Sequence, residues 1–305
     1  MSDKKIRKKS PLRKKILNYK VFIYAFFILM SVIFIVPMLL LFSVAFSSEA
    51  DVLEYGFRFI PKKLVLTAFE FVFASPMTMI NAYKVTLLYA FGVTLISVFV
   101  MAMCGYALAR EGFAYKKFVN TYLIVTMFFS GGLVPGYIVR TQYLGLQDNM
   151  WVYFFNWTIG AYTIFIFRTF FKQLPSSLIE SASLDGASEF QILVKIVIPL
   201  SKPILATYYL FGLLGRWNDY ETSLYYITNK DLYTLQYMLQ KVLQESDMIK
   251  QTMQNIPGYL DMIKTLPNET LKFAICVLAA LPMMIAFPFF QKYYSKGMMI
   301  GSVKG

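Results

Sequence analysis

The sequence predicts an all-α membrane protein whose helices cross the bilayer six times. Hydrophobic residues make up 57% of the 305 positions and charged residues 15%, a composition too apolar for a soluble globule of this length. The hydrocarbon core of a bilayer is about 30 Å thick, so a helix needs roughly 20 apolar residues to cross it. Charged residues separate several apolar runs of this kind along the chain.

Five of these runs are long enough to cross the bilayer, and another is weaker. The weaker run is the fifth in chain order, and it begins near Lys202. The predicted spans lie at about 21–46, 85–109, 118–139, 149–170, from 203 onward, and 271–291.

The segment between the first two spans, residues 47–83, is predicted to lie outside the membrane. Its apolar stretch Leu64–Ile80 could form a seventh span, but Glu70 and Pro76 lie within it. A seventh span would also place later basic segments on the outer side, against the usual charge bias. We therefore predict an interfacial helix in this segment.

The distribution of basic residues predicts the orientation of the chain. Its formal net charge is +13, and with a cytoplasmic N-terminus and six spans, 19 of the 30 lysines and arginines fall on the inner side. Both termini are therefore predicted to be cytoplasmic. The basic start is explained as an orientation signal attracted to anionic lipid, rather than as a nucleic-acid-binding segment. The first span lacks a small-residue cleavage site, so we expect it to be retained.

Several kinds of chemistry are excluded by the residues that the chain lacks. It has no histidine, which is the usual zinc ligand and the commonest general base, and no phosphate-binding loop of the form GxxxxGK[ST]. Cys104 and Cys276 lie inside apolar runs, where we expect small packed residues rather than a disulfide or a metal site. We predict no catalytic residue, no metal site and no ATP hydrolysis by this chain.

The polar segment at 174–200 is predicted to be a helix, a sharp turn and a second helix. Ser177 and Glu180 have the spacing of a capping box. Gly186 is expected to end the first helix in the left-handed conformation, and Ser188 to cap a second helix that runs to Pro199. Such an elbow between two spans would form a docking surface. The alternative is an ordinary amphipathic connector on the cytoplasmic face.

The elbow also resembles a known motif. Glu180-Ser181-Ala182 is followed after three residues by Gly186, and after nine more by Ile196-Val197-Ile198-Pro199. This spacing resembles the EAA loop of bacterial ABC importer permeases, with Ser181 and Ile198 as mild departures from the pattern. The resemblance implies a coupling helix that docks into a separate ATPase subunit. The residues that it implies for this contact are Glu180, Ser181, Ala182, Asp185, Gly186, Ile196 and Pro199.

Three further strings resemble the same permeases. Gly105–Arg110 (GYALAR) resembles the start of the permease core. Gly131–Tyr137 (GGLVPGY) resembles a string of the subgroup that handles complex oligosaccharides, and it would form either a packing seam or a bend beside the pathway. The end of the chain resembles a tail that enters between ATPase subunits, although a frayed terminus is the alternative. The tail residues concerned are Gly301, Val303, Lys304 and Gly305.

The substrate pathway is predicted from polar and aromatic residues in the fourth and fifth spans. In the fourth span, Tyr153, Asn156 and Trp157 could offer ring faces and an amide to a sugar, or simply anchor the membrane interface. In the fifth, Pro203–Gly215 has only 13 uncharged residues. These residues span about 20 Å, so we expect a full crossing to take in polar residues. The polar residues concerned are Arg216, Asn218, Asp219 and Glu221, of which Arg216, Asn218 and Asp219 are predicted to lie along the substrate pathway.

Arg216 and Asp219 lie three positions apart and could pair on one helix face. This cluster would form either an outer gate or a charge pair at the outer interface. The long polar segment that follows, 222–270, is predicted to be external, with helices around 232–250 and 255–265. These predictions divide the chain into a basic N-terminus at 1–20, a first span with an external segment at 21–83, a five-span core at 84–291 and a cytoplasmic tail at 292–305.

Taken over the whole length, the resemblance implies a permease subunit of an ATP-driven carbohydrate importer with the type I importer fold, in a bacterial plasma membrane. It further implies a second, different permease subunit, two ATPase subunits that bind ATP and Mg²⁺, and an external solute-binding protein that meets the 222–270 segment. No cofactor is expected on this chain. Two alternatives are a non-transporting sensor scaffold that docks an ATPase and a lipid-modifying membrane enzyme, although no cluster of Asp and Glu lies within the spans to support the enzyme.

Overall fold

The structure is a computed structural model that describes residues 11–74, 76–155, 159–253 and 268–300, and every regular element in these ranges is a helix. Three helices in the described ranges are long and apolar enough to cross a membrane without interruption. They are α1 (Pro11–Ala45, apolar from Tyr19), α4 (Pro76–Ala109) and α14 (Asn268–Ile300, apolar to Gln291).

Bends of more than 40° mark two further predicted spans. The third span is α5 (Lys116–Phe128) followed at 116° by α6 (Leu133–Tyr143). The fifth, predicted from residue 203, is α11 (Lys202–Trp217), which is bent by 84° from α10 (Glu189–Leu200), the second helix of the predicted elbow. At the fourth predicted span, α8 (Ala161–Phe171) is apolar but shorter than a full crossing. The shorter helices are α2 (Glu49–Tyr55), α3 (Thr67–Val72), α7 (Trp151–Phe155), α9 (Ser176–Leu184), α12 (Glu221–Tyr226) and α13 (Leu235–Met253).

The second span begins earlier than predicted. Helix α4 starts at Pro76, so the predicted start at residue 85 and the boundary between 83 and 84 both fall inside a helix. Proline is favoured in the first turn of a helix because its fixed φ suits the helix and its missing N–H would have no partner there. Lys84, which suggested the boundary, is an exposed residue within this helix.

The bend in the third span lies at the glycine-rich string. Gly132 has a φ of +83° and directly precedes α6. The helix therefore unwinds between Phe128 and Leu133, as one of the two interpretations of this string predicts.

The chain divides into two compact units, and the smaller one comprises Met1–Val72 with Thr252–Val277. Within it, Ala45, Ala68, Ala274 and Val277 form a small buried cluster. Glu49, only 7% exposed, caps the start of α14. Its carboxylate accepts hydrogen bonds from the backbone N–H of Glu269 (2.8 Å) and from the backbone N–H (2.9 Å) and hydroxyl (2.8 Å) of Thr270.

Replacing Glu49 with alanine is expected to destabilise this unit by about 1–3 kcal/mol, because buried N–H groups at a helix start would lose their acceptor. The measurement is thermal unfolding of the detergent-purified protein. Glu54→Ala is the matched control, since Glu54 lies exposed on the same short helix. Equal melting temperatures for the two variants would contradict the capping role.

The larger unit comprises Phe73–Gln251 with Leu278–Gly305. Its main core joins α4, α8 and α10 through Leu108, Ile164, Phe167 and Ile192. The absence of a side chain at Gly105 allows α4 and α8 to approach closely, because an added Cβ there would lie 2.8 Å from the Cβ of Phe167. This packing places the elbow against the C-terminal end of α4, near Tyr106, and a cavity beside the middle of the same helix, at Tyr89 and Met101.

Candidate functional site

A cavity of about 710 Å³ lies within the larger unit, between α4, α6, α8, α11 and α12. Its walls combine aromatic rings with a few charged groups. The aromatic residues are Tyr89, Tyr208, Phe211, Tyr220, Tyr225 and Tyr226, and the charged residues are Arg140, Arg216, Asp219 and Glu221. Aromatic faces beside hydrogen-bonding groups suit a polar ligand that also has C–H surfaces.

Arg216 joins the last turn of α11 to α4 at the cavity wall. Its guanidinium donates to the hydroxyl of Ser97 (2.8 Å) and to that of Thr94 (3.3 Å), and the residue is 7% exposed. A charged residue in a span is expected to face protein or water rather than lipid, and Arg216 does so. The fifth span therefore ends in a polar contact with the second.

Asp219 does not form the predicted ion pair with Arg216. It accepts hydrogen bonds from the hydroxyl of Tyr89 (2.7 Å) and from the hydroxyl (2.5 Å) and backbone N–H (3.0 Å) of Thr222. No ion pair of the described residues joins Asp219 to Arg216. The reason is that α11 ends at Trp217, so the two residues no longer share a helix face.

The structure nevertheless brings the predicted fifth-span residues together at the cavity. Arg216, Asn218 and Asp219 all line it. Asn218 follows the last helical residue and donates from its side chain to the carbonyl of Leu214 (2.9 Å). Their contact with a substrate remains a prediction.

Tyr153 occupies a different place from the one predicted. It is fully buried and is not among the residues that line the cavity. Its hydroxyl donates to the carbonyl of Leu232 (2.7 Å) and lies 2.8 Å from the hydroxyl of Ser223, while its ring packs on Tyr89 with centroids 5.0 Å apart. Tyr153 thus supports the cavity wall from behind. The other two predicted residues of this span, Asn156 and Trp157, lie outside the described residues.

Several lining residues were missed by sequence reasoning. Tyr208, Phe211, Gly212 and Gly215 face the cavity from α11, at the spacing of one helix face. This periodicity was a signal in the sequence that could have identified them. No such signal marked Arg140, because the helix that carries it follows a break in the third span.

The elbow forms as predicted around Gly186, which has a φ of +81°. The N–H of Gly186 donates to the carbonyl of Ser183 (3.1 Å), and the N–H of Ala187 donates to that of Ala182 (3.0 Å). This is the Schellman arrangement that ends a helix with a left-handed residue. Leu184, beside it, is 90% exposed.

The predicted elbow residues divide into an exposed surface and a packed base. Glu180, Ser181, Asp185, Gly186 and Pro199 are exposed. Ala182 and Ile196 are partly buried against the core. An apolar tip at Leu184 beside carboxylates is a surface that could enter a cleft in a partner.

One of the two predicted helix caps is present and the other is absent. Ser188 accepts from the N–H of Gln191 (3.3 Å), and the side chain of Gln191 accepts from the N–H of Ser188 (2.9 Å), which is a capping box. The box predicted at Ser177 and Glu180 does not form. The first helix begins at Ser176, so Ser177 already lies inside it, and Pro175 occupies the capping position.

A polar cluster that was not predicted connects the elbow to the second span. Glu189, the first residue of α10, accepts from the hydroxyl of Tyr106 (2.5 Å) and from the guanidinium of Arg110 (2.8 Å). Burial would raise the pKa of Glu189, but these two hydrogen bonds and the charge of Arg110 outweigh it and lower the pKa. The contact therefore involves an ionised carboxylate near neutral pH.

Asp148 holds the turn between α6 and α7 to the segment after α12. It has a φ of +52°, and its carboxylate accepts from the backbone N–H of Thr228 (2.5 Å), the N–H of Asn229 (2.8 Å) and the hydroxyl of Thr228. The hydrogen bond from the Thr228 hydroxyl is the main cause of a lowered pKa at Asp148.

Replacing Asp148 with alanine is expected to loosen this turn, because the acceptors are lost and alanine tolerates a positive φ poorly. Hydrogen exchange at Thr228 and Asn229 is the measurement, and we expect at least tenfold faster exchange. Asp148→Asn, which accepts the φ and keeps one acceptor, should change exchange less. Because folding lowers the pKa of Asp148, its carboxylate stabilises the turn fully above the ordinary carboxyl pKa. This stabilisation is lost as the pH falls through the lowered pKa.

In the described ranges, no group of three or more Cys, Asp and Glu residues is placed to hold a metal ion. Cys104 and Cys276 are partly buried thiols outside any disulfide. The predicted tail residues, Gly301 and Val303 to Gly305, lie outside the described residues.

The chain matches one family model along almost its whole length. The model describes a "Binding-protein-dependent transport system inner membrane component" and matches residues 12–300. Two relatives from Bacillus subtilis (strain 168) are similar over most of the chain. Protein LplC is 35% identical over 89% of this chain and 90% of its own length. The polygalacturonan/rhamnogalacturonan transport system permease protein YtcP is 31% identical over 94% of this chain and 98% of its own.

A solved structure has the same fold. It is a chain of a bacterial ABC transporter involved in the import of the acidic polysaccharide alginate, with a TM-score of 0.76 and 26% identity. The match covers 94% of this chain and 99% of that one. The predicted all-α permease fold of an ABC importer is thereby confirmed.

Proposed function

Because this chain belongs to the family of binding-protein-dependent transport system inner membrane components, we propose that it carries a complex oligosaccharide through a bacterial plasma membrane. The chain is a multi-pass translocation subunit of an ABC importer, and ATP is hydrolysed by a separate subunit. Its substrate reaches it from a solute-binding protein.

The cavity is the observation that carries the sugar proposal. Its volume of about 710 Å³ and its tyrosine-rich wall suit pyranose rings, whose C–H faces pack on aromatic rings. Asn218 and the charged residues offer hydrogen-bonding groups to hydroxyls in the same space. The relative YtcP is named as a permease of a polygalacturonan/rhamnogalacturonan transport system, and the similar solved structure belongs to a transporter involved in the import of alginate. Both support the same class of substrate.

We propose that the chain pairs with a second, different permease subunit and two ATPase subunits. The elbow would enter a cleft in one ATPase through Leu184, Asp185 and Gly186, which are exposed. The tail residues Gly301, Val303, Lys304 and Gly305 would contact the ATPase pair. ATP and Mg²⁺ would bind to the ATPases alone, and this chain would hold no cofactor.

The basic residues support cytoplasmic termini, which places the elbow on the same side as the ATPases. The apolar surface of α1 is exposed along Tyr19–Leu39 and would face lipid or the second permease. ATP-driven closure of the ATPases would move the elbow and bias the cavity between inward and outward access.

Purification of the assembled importer tests this function. The chain would be co-expressed with a candidate second permease and ATPase, reconstituted into liposomes, and supplied with a sugar-loaded binding protein. ATP-dependent uptake of a labelled oligosaccharide is the expected result. A complex that hydrolyses ATP without any sugar uptake would instead support the non-transporting scaffold.

A further inference from the structure

We propose that Arg140 is a specificity-determining residue that binds the carboxylate of an acidic sugar in the cavity. This inference rests on the proposed function, because it concerns the substrate of the same cavity. Four charged residues line that space, and their contacts differ in a way that singles out Arg140.

Two of the four have their charged groups engaged within the protein. Arg216 is 7% exposed and donates to Ser97 and Thr94. Asp219 accepts three hydrogen bonds from Tyr89 and Thr222. A ligand could bind these groups only by breaking hydrogen bonds within the protein. Breaking them is unfavourable, because a buried polar group without a partner costs free energy.

Arg140 has a different environment. One of its guanidinium nitrogens donates to the hydroxyl of Tyr226 (3.0 Å), and the guanidinium lies 5.6 Å from the centre of the same ring. Tyr226 is 3% exposed and stacks on Tyr137 with centroids 5.6 Å apart. The tyrosine pair therefore holds the arginine in a defined position on the cavity wall.

The charge of Arg140 is not matched by a neighbouring acid. No ion pair in the described part of the chain includes Arg140. A guanidinium carries five N–H donors in a planar fork, so donors remain beyond the bond to Tyr226. That fork matches a carboxylate, to which arginine donates two parallel hydrogen bonds.

The remaining charged residue, Glu221, constrains how an anionic sugar would lie. It is exposed at the start of α12 and lines the same cavity. Because like charges repel, the sugar carboxylate is expected to point toward Arg140 and its hydroxyls toward Glu221. The ring faces of Tyr220 and Tyr225 are available to the sugar in the same space. The ligand class is therefore an oligosaccharide that contains a uronic acid.

The test compares a charged sugar with its neutral ester on the purified importer complex. The probes are trigalacturonate, an alginate trisaccharide, the trimethyl ester of trigalacturonate and maltotriose. For the wild type we expect at least one acidic trisaccharide to bind about tenfold more tightly than the ester, which corresponds to one charge-assisted contact.

Two variants of Arg140 separate the effect of its positive charge from the effect of its planar guanidinium group. Arg140→Gln is expected to remove the preference for acid over ester, and Arg140→Lys to retain part of it because the charge remains. Lys84→Gln is the matched control: it removes one positive charge from an exposed residue that does not line the cavity. It should leave the ratio unchanged. Melting temperatures show whether each variant is folded.

The outcomes separate this inference from the proposed function. Loss of the acid preference in Arg140→Gln alone supports the role of Arg140. Three results would overturn the role of Arg140: the wild type binds acid and ester equally, the preference for the acid survives in Arg140→Gln, or only maltotriose binds. Each of these results leaves the proposal of oligosaccharide import intact. Failure of every sugar to bind a complex whose ATPase is active would overturn both.

Discussion

Gly186→Val is expected to abolish ATPase coupling while leaving the rest of the permease folded. Gly186 has a φ of +81°, and the N–H groups that close the elbow belong to Gly186 and Ala187. Left-handed backbone costs an L-residue about 1–2 kcal/mol, and a β-branched side chain is tolerated less well still. The elbow would therefore adopt another conformation and lose its docking shape.

The expected penalty at Gly186 arises from its backbone conformation, because a Cβ added there would meet no heavy atom within 4 Å. Gly186→Asn is therefore the matched control, since asparagine enters the left-handed region more readily and should retain coupling.

Co-purification of the ATPase and its stimulation by loaded binding protein are the measurements for this pair of variants. We expect Gly186→Val to lose most of the bound ATPase, or to retain it without stimulation, and Gly186→Asn to resemble the wild type. Normal transport by Gly186→Val at normal expression would show that the elbow is not the coupling element.

Glu189→Gln is expected to reduce sugar uptake per ATP by about tenfold, although ATPase binding should be retained. Glu189 begins the second helix of the elbow, three residues after Gly186, and accepts hydrogen bonds from Tyr106 and Arg110 at the C-terminal end of α4. Hydrogen bonds to a charged group contribute about 1.5–3 kcal/mol each, whereas an exposed ion pair contributes about 0–1 kcal/mol. The bond from the buried Tyr106 should therefore matter most.

Helix α4 provides the route by which this contact reaches the cavity. The same helix carries Ser97, which binds Arg216, and Tyr89, which binds Asp219. A displacement of the elbow that pulls on Tyr106 would thus be applied to a helix that also contacts the cavity wall. We therefore expect movements of the elbow and of the cavity wall to be coupled through α4.

A double-mutant cycle provides the evidence for this coupling. Tyr106→Phe and Glu189→Gln should each lower uptake per ATP, and the double variant should be little worse than either one, because both remove the same bond. Glu111→Gln is the control, since Glu111 is exposed beside Arg110. Additive effects of Tyr106→Phe and Glu189→Gln, with equal losses of melting temperature, would indicate a merely structural contact.

The parts of the candidate site that could be predicted from the sequence are those whose interactions are local. The turn at Gly186 and the capping box at Ser188 each involve groups within five residues of one another, so spacing was sufficient to predict them. The bend at Gly132 is local for the same reason. The capping box at Ser177 did not form although its spacing was correct, because the helix begins at Ser176, two residues before the start that a cap at Ser177 requires.

The residue roles that were missed or wrong depend on distant partners. Tyr153 has the aromatic character of a lining residue, but its hydroxyl is hydrogen-bonded inside the wall to that of Ser223, 70 positions away. Arg216 was expected to pair with a neighbour three residues on, yet its partner Ser97 lies 119 positions away. Glu49 acts on a helix that begins more than 200 residues later.

The sequence by itself therefore determined that the chain is a multi-span helical protein with a sharp helical elbow at residues 174–200, because apolar length, charge distribution and turn chemistry are properties of short segments. Only the tertiary structure decided which polar side chains face the cavity, which ones support its wall and which one joins the elbow to α4. The physical reason is that a buried polar group must find a hydrogen-bond partner, and that partner is chosen by how distant helices pack.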